Sequence, residues 1–308
     1  MRIPLHSGIN RLEKIFIALS TSLLCLFFLP LPASATDIVL IKESDIKPYR
    51  SAIDGIKSSC TCSVLEFDLD DVDEIEHALK GRPAAVITVG TDAYIRARGI
   101  RDIPLVYSMV IPADTAGPQP ENISGVSMDI EPGEYISAIT ALFPDAKRIG
   151  LLYDPDNTGE FVRDAEAQAR EAGVVLIAKS VRDPRRIPAL LDDLRKKIDV
   201  FWMLPDRTVI QPETVDYLML VSFQSSLPVF SFSRKFLDEG AAAALVVTPF
   251  GMGVQAGKLV RSLAADKKGP LRVYAKGAKL LVNRKVCAKL GVRIDEETAS
   301  RVEKVEQP

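Results

Sequence analysis

Several short polar groups follow apolar runs at spacings that suit the capture of a small molecule. Leu204-Pro205-Asp206-Arg207 places a carboxylate directly after a short apolar run. Such a carboxylate, left without a partner, suits an ammonium group. Pairing of Asp206 with Arg207 or another surface base is an equal alternative. Gly90-Thr91-Asp92 follows Ala-Ala-Val-Ile-Thr-Val and opens onto a helical pattern. The first backbone N–H groups of a helix lack intrahelical partners and attract carboxylates and other anions. The bland alternative is that Thr91 or Asp92 only caps the helix. Asp154, Asn157 and Thr158 lie in the stretch Tyr153–Glu160, which reads as a polar loop, or as an Asx-turn leading into a helix at Phe161. Ser44, Ser108 and Ser231 add hydroxyls near the ends of other apolar runs. Phe232, beside Ser231, is either core or the wall of a pocket.

The chemistry that these residues do not support is as informative. The sequence carries no Gly-x-Ser-x-Gly elbow, P-loop or His-Glu-x-x-His. No Gly-x-Gly-x-x-Gly follows the first apolar run, and Gly251-Met252-Gly253 has the wrong spacing. No pair of acids stands out as a glycosidase pair. The two histidines are His6 and His77, and His77 lies in a charged helical pattern as an expected surface residue. A catalytic triad or histidine-based metal site would have to be built on it. No enzyme activity, metal or cofactor is expected.

Arg2, Arg11 and Lys14 precede an apolar run from Ile15 to Leu31, and Ala33-Ser34-Ala35 supplies a small-x-small cleavage pattern. Residues 1–35 therefore read as a signal peptide cleaved after Ala35, and the mature protein is expected in the periplasm. The formal net charge of the whole chain is −2. Charges of both signs are interspersed, so there is no basic footprint for nucleic acid. Cys60, Cys62 and Cys287 follow the cleavage site. Their odd number implies at least one free thiol or an intermolecular bond. Cys60-Thr61-Cys62 looks too tight for an easy disulfide.

The elements that must position the polar groups alternate in type. Strands are expected at Asp37–Ile41, Ser63–Phe67, Ala84–Val89 and Ile103–Val110. Helices are expected between them at Tyr49–Ser58, Val72–Leu79 and Ala93–Arg98. The stretch 111–122, with Pro112, Pro118 and Pro120, reads as a linker, and Ile123–Met128 as a crossing strand. Pro132 opens a helix that stops at Pro144. A second series follows, with strands at Arg148–Tyr153, Val174–Ala178, Val200–Leu204 and Pro228–Ser233. Its helices are Phe161–Ala172, Pro184–Lys197 and Pro212–Ser226. Ala241–Val247 reads as a buried strand and Gly251–Ala265 as a helix. Leu271–Val282 is strand-like, and Arg284–Leu290 closes with a short helix. Two alternating series imply two doubly wound parallel sheets, an α/β bilobal protein with ligands at the carboxyl ends of the strands.

The runs Asn122-Ile123-Ser124-Gly125-Val126-Ser127 and Phe143-Pro144-Asp145-Ala146-Lys147-Arg148-Ile149-Gly150-Leu151-Leu152-Tyr153-Asp154-Pro155 resemble the ABC transporter substrate-binding family that includes tryptophan/tyrosine-binding proteins. Leu227-Pro228-Val229-Phe230, Gly240-Ala241, Gln255-Ala256-Gly257-Lys258 and Asn283-Arg284-Lys285 extend the resemblance along the chain. It implies a type I periplasmic-binding fold: two Rossmann-like lobes joined by three chain crossings that form a hinge. The expected first lobe is 36–124 plus 246–271, and the second is 125–245 plus 272–308. The resemblance also implies a monomer that holds a small solute in the cleft and passes it to an ABC permease in the inner membrane. Thr91, Asn157, Thr158 and Asp206 match its ligand-lining positions. A sensor or accessory subunit that feeds a receptor is the alternative role.

Overall fold

The first buried run, Ile38–Ile41, alternates its side chains between two cores, as a strand covered on both faces must. Ile38 and Leu40 join one cluster, and Val39 and Ile41 the other. The structure is a computed structural model that describes residues 37–110, 120–264, 272–294 and the backbone of 303–304. The expected signal peptide, most of the 111–122 linker, the turn at 267–270 and the charged tail lie outside the described residues.

The first series comprises β1 (Asp37–Lys42), α1 (Lys47–Ser59), β2 (Ser63–Asp68), α2 (Val72–Lys80), β3 (Ala85–Val89), α3 (Thr91–Ala97), β4 (Leu105–Ser108) and β5 (Ile123–Val126). Helix α4 (Pro132–Leu142) leads into β6 (Arg148–Tyr153), α5 (Pro155–Glu171), β7 (Val175–Ser180), a 3-10 turn (Pro184–Arg186) and α6 (Ile187–Leu194). Then follow β8 (Val200–Trp202), α7 (Pro212–Ser225), β9 (Val229–Ser231), α8 (Lys235–Glu239), β10 (Ala243–Val246) and α9 (Pro249–Ala264). The last elements are β11 (Arg272–Val273), β12 (Lys279–Val282), α10 (Arg284–Lys289) and β13 (Glu303–Lys304).

These strands form two sheets. The first has the order β11-β5-β4-β3-β1-β2, with every pairing parallel. The second has the order β13-β12-β10-β9-β8-β6-β7 and is parallel except where β12 runs against β10. In each sheet the order reverses after the first strand of its series, between β1 and β3 and between β6 and β8. A doubly wound sheet opens a crevice at such a switch point, outside the carboxyl ends of the strands.

The chain passes between the sheets three times, at 127–131, 247–248 and 274–278. The first and third passages run side by side. Ser127 N–H donates to Val273 O at 2.9 Å, and Ala275 N–H to Asp129 O at 3.0 Å. Arg272 pairs with Asp129 at 3.1 Å. Gln255, on α9, ties the helix after the second passage to the third. Its Nε2 donates to Tyr274 O at 3.0 Å, and its Oε1 accepts from Lys276 N–H at 2.8 Å. The first and third passages are thus bonded to each other, and the helix after the second is bonded to the third.

Several boundaries differ from those expected. β5 reaches Val126 in the first sheet, β10 reaches Val246 in the second, and β11 (Arg272–Val273) pairs with β5 in the first. The lobe borders set at 124, 245 and 271 each fall one or two residues early. The expected strand Leu271–Val282 is two strands in different sheets, broken where Gly277 takes φ +70°. Helix α8 was not expected. It is a five-residue turn closed by Gly240 at φ +119°.

Cys60 and Cys62 form a disulfide, contrary to the expectation from their spacing. Cys60 leaves α1 in an extended conformation (φ −89°, ψ 118°). Residues two apart on extended backbone project to the same side. Their Cα atoms are 5.2 Å apart, within the ordinary range for a disulfide. Cys287 is free and buried, and burial pushes its thiol up to about 11. It is an inert core residue at neutral pH.

Asp199 staples the start of the second sheet. Its carboxylate accepts from Lys147 N–H at 2.9 Å and from Arg148 N–H at 2.8 Å, and pairs with the Arg148 guanidinium at 2.6 Å. The bond from Arg148 holds this carboxyl below its ordinary value. A carboxyl depressed in the folded state adds stability that is complete above its unfolded value, ~3.9, and is lost as pH falls through the folded one. Asp199→Asn is therefore expected to flatten the loss of stability below about pH 4. Urea unfolding of both proteins at a series of acidic pH values checks this; parallel acid limbs would contradict it.

Candidate functional site

At the second sheet's switch point, the polar residues converge on Asp206. Helix α5 begins at Pro155, not at Phe161 as expected. Asp154 is the N-cap, its Oδ1 accepting from Asp156 N–H at 3.1 Å, and Pro155 takes the first helical position. Asn157 and Thr158 therefore sit on the first turn of a helix, a quarter-turn apart, and both reach the loop after β8.

Asp206 is fully buried, at 0 % exposure. Its Oδ2 accepts from Asp154 N–H at 2.7 Å and from Thr158 Oγ1 at 2.7 Å. Its Oδ1 accepts from Asn157 Nδ2 at 3.1 Å, from Thr208 N–H at 2.9 Å and from Val209 N–H at 3.3 Å. Thr208 completes the net, donating from Oγ1 to Asp154 Oδ2 at 2.7 Å and accepting from Asn157 Nδ2 at 3.0 Å. The expectation of an unpaired carboxylate projecting from the loop is thus corrected. The pairing alternative with Arg207 fails too, since the groups that donate to Asp206 are neutral donors of its own lobe. Buried carboxylates persist when their acceptor capacity is filled in this way. Asp206 locks the β6–α5 and β8–α7 loops into one rigid wall.

Ser231 is also fully buried. Its hydroxyl contacts Met203 Sδ at 3.7 Å and accepts from Ser233 N–H at 3.3 Å. It supports the wall from beneath. Phe232 packs against both cores of this lobe and edge-on to Phe236, with centroids 5.2 Å apart. Behind the wall, Trp202 is fully buried among Tyr135, Phe161 and Phe230, with the nearest ring centroid 5.1 Å away. Burial drives the Tyr135 phenol far above its ordinary value, so it is a neutral packing residue.

At the first sheet's switch point, Gly90 holds φ +105° and opens α3. Its N–H donates to Ser108 O at 3.1 Å. The helix start expected to receive an anion already holds one, supplied by the chain itself. Glu43, the residue after β1, places Oε2 2.8 Å from Asp92 N–H, while Oε1 accepts from Tyr49 OH at 3.3 Å. Its own N–H is fixed on Val89 O at 3.0 Å. A side chain at Gly90 would collide with Glu43, because an ideal Cβ there lies 2.6 Å from both Glu43 Cβ and Oε2. Ser44 follows and is half-buried. Ser108, at the end of β4, is fully buried, and its Oγ has no hydrogen-bond partner.

The structure therefore gathers Asp154, Asn157, Thr158 and Asp206 at one switch point, and places Ser44, Gly90, Thr91 and Ser108 around the other. Glu43 and Thr208 were missed. A charged residue directly after the buried run of β1 was the available signal for Glu43. Among the described residues, no group of three or more His, Cys, Asp or Glu could hold a metal ion, and no helix is long and apolar enough to cross a membrane.

Two α/β sheets joined by three passages, each with a polar switch point, define the two-lobed architecture of periplasmic binding proteins. The chain belongs to the ABC transporter substrate-binding protein family, whose model matches residues 62–306. A tyrosine-binding protein of Clostridioides difficile (strain R20291) is 21% identical over 175 residues, covering 54% of this chain and 50% of that one. The match thus spans about half the length of that relative. Among solved structures, an ABC domain from Streptococcus pneumonia in complex with L-Trp has a TM-score of 0.54 and 19% identity. The alignment covers 89% of this chain and 100% of that one. The ligand-free, open structure of a substrate-binding protein with adhesive properties from Clostridium difficile has a TM-score of 0.65 at 14% identity, with the same coverage. At these identities the likeness is one of fold.

Proposed function

We propose that this chain is the solute-capturing component of an ABC importer, exported to the periplasm and serving a permease in the inner membrane. One observation carries the reading: both sheets present their polar residues at the switch point, the place where doubly wound sheets receive ligands. The solute would lie between Glu43, Ser44, Gly90 and Thr91 on one side and Asp154, Asn157 and Thr158 on the other. Its class is a small amino-bearing organic molecule. The L-Trp complex and the tyrosine-binding relative make aromatic amino acids and their amines the first compounds to try. Asp206 acts on the solute through the wall it organises, not as an open carboxylate.

A thermal-shift panel of amino acids, aromatic amines, nucleosides and small organic acids tests capture. A ligand present at 100 times its Kd stabilises the native state by about 2.7 kcal/mol, which is a readily measured rise in Tm. At least one amino-bearing compound is expected to give that rise. A flat response across the whole panel would contradict the proposal.

A further inference from the structure

We propose that Glu43 sets the class of solute, and that the site takes an organic cation that bears no carboxylate. The inference rests on the solute-binding reading above and narrows it. A zwitterionic amino acid needs hydrogen-bond donors for its carboxylate as well as acceptors for its ammonium group. On the first sheet, one of the first backbone donors of α3, Asp92 N–H, is already held by Glu43 Oε2 at 2.8 Å. Glu43 is built in on several sides. Its backbone is fixed on Val89 O, Tyr49 OH donates to its other oxygen, and the turn at Gly90 is shaped so that the side chain lies flush against it. A ligand carboxylate there would meet a like charge, not a donor.

The charge on the other wall has the same sign. Asp154 is 7 % exposed and Asp206 is buried, and the groups that donate to them are neutral N–H and O–H groups. Neither they nor Glu43 enter any ion pair among the described residues. Three carboxylates thus stand at the carboxyl ends of the two sheets outside ion-pair distance of any described Lys or Arg, though Arg182, paired with Asp156, acts on Asp154 through space. A cation brought between the walls supplies the missing positive charge, whereas a zwitterion adds a negative group as well.

Isothermal titration of the full mature chain and of Glu43→Gln with tryptamine, tyramine, L-tryptophan and L-tyrosine tests this. The glutamine keeps an oxygen to accept from Asp92 N–H and removes the charge, and its amide nitrogen then donates to Tyr49 OH instead of accepting from it. The wild-type chain is expected to bind each amine at least tenfold more tightly than the matching amino acid. Glu43→Gln is expected to shrink that ratio at least tenfold while still unfolding in one cooperative thermal melt in the absence of ligand. An amino acid that binds as tightly as its amine overturns the inference while leaving solute capture standing. So does a ratio that Glu43→Gln leaves untouched. If neither amine binds, the inference also falls, and solute capture is then judged by the wider thermal-shift panel.

Discussion

Asp206→Ala lowers the stability of the protein by about 3 kcal/mol, since it strips the partner from buried and part-buried donors, and a fully buried donor costs about 1–3 kcal/mol when left unpaired. The donors are Asp154 N–H, Asn157 Nδ2, Thr158 Oγ1 and Thr208 N–H, at 2.7 to 3.1 Å from the carboxylate. Native proteins hold only about 5–15 kcal/mol in total, so the loss is a large share. From the sequence, this substitution would be expected to weaken binding and spare the fold. The geometry reverses that expectation, because the carboxylate is spent on its own lobe. Trp202 is the only tryptophan in the chain and lies four residues before Asp206, in the same lobe. Its fluorescence therefore reports urea unfolding of the affected part. A loss below about 1 kcal/mol would mean that the net around Asp206 is not what holds the two loops together.

Gly253→Val is expected to be as damaging, for a steric reason. Helices α1 and α9 cross backbone against backbone. An ideal Cβ at Gly253 would lie 1.9 Å from Ala52 O, one at Gly55 would lie 2.2 Å from Phe250 O, and one at Gly257 would lie 2.8 Å from Ile56 O. These obstacles are main-chain atoms and cannot swing aside. Overpacking of this kind costs about 1–3 kcal/mol and occasionally more, and here the upper end or beyond is expected. The injury would also reach the hinge, because Gln255, one half-turn from Gly253, ties α9 to the third passage. Gly99→Ala is the control, since nothing lies within 4 Å of its added Cβ. Thermal melts of the two variants check the contrast. If both variants melt alike, the tight crossing does not contribute as argued.

The sequence disclosed those features that depend on neighbours along the chain. Arg148–Tyr153 was readable to the residue because a strand buried on both faces is an unbroken apolar run. The helix at Pro132 and the strand at Ala85–Val89 were legible for similar reasons. The start of α5 was legible too, but misread. Asp154-Pro155 is a cap followed by a first-turn proline, and the polar residues after it look like a loop until the cap is recognised. Other features were hidden because their causes are remote in sequence. Glu43 meets Asp92 across 49 positions, and Asp206 meets Thr158 across 48. The split between β11 and β12 depends on partners in two different sheets, which no local pattern encodes. Polarity at a strand end could be read from the sequence, but not whether that polarity was already satisfied.

The central claim is that a solute is held between two lobes that close on the hinge. Small-angle scattering measures this directly, with the chain alone and then saturated with whichever panel compound raises Tm. Closure moves whole lobes, so the account predicts a smaller radius of gyration and a shorter maximum dimension in the presence of ligand. A saturated sample whose scattering overlays that of the ligand-free chain would contradict it.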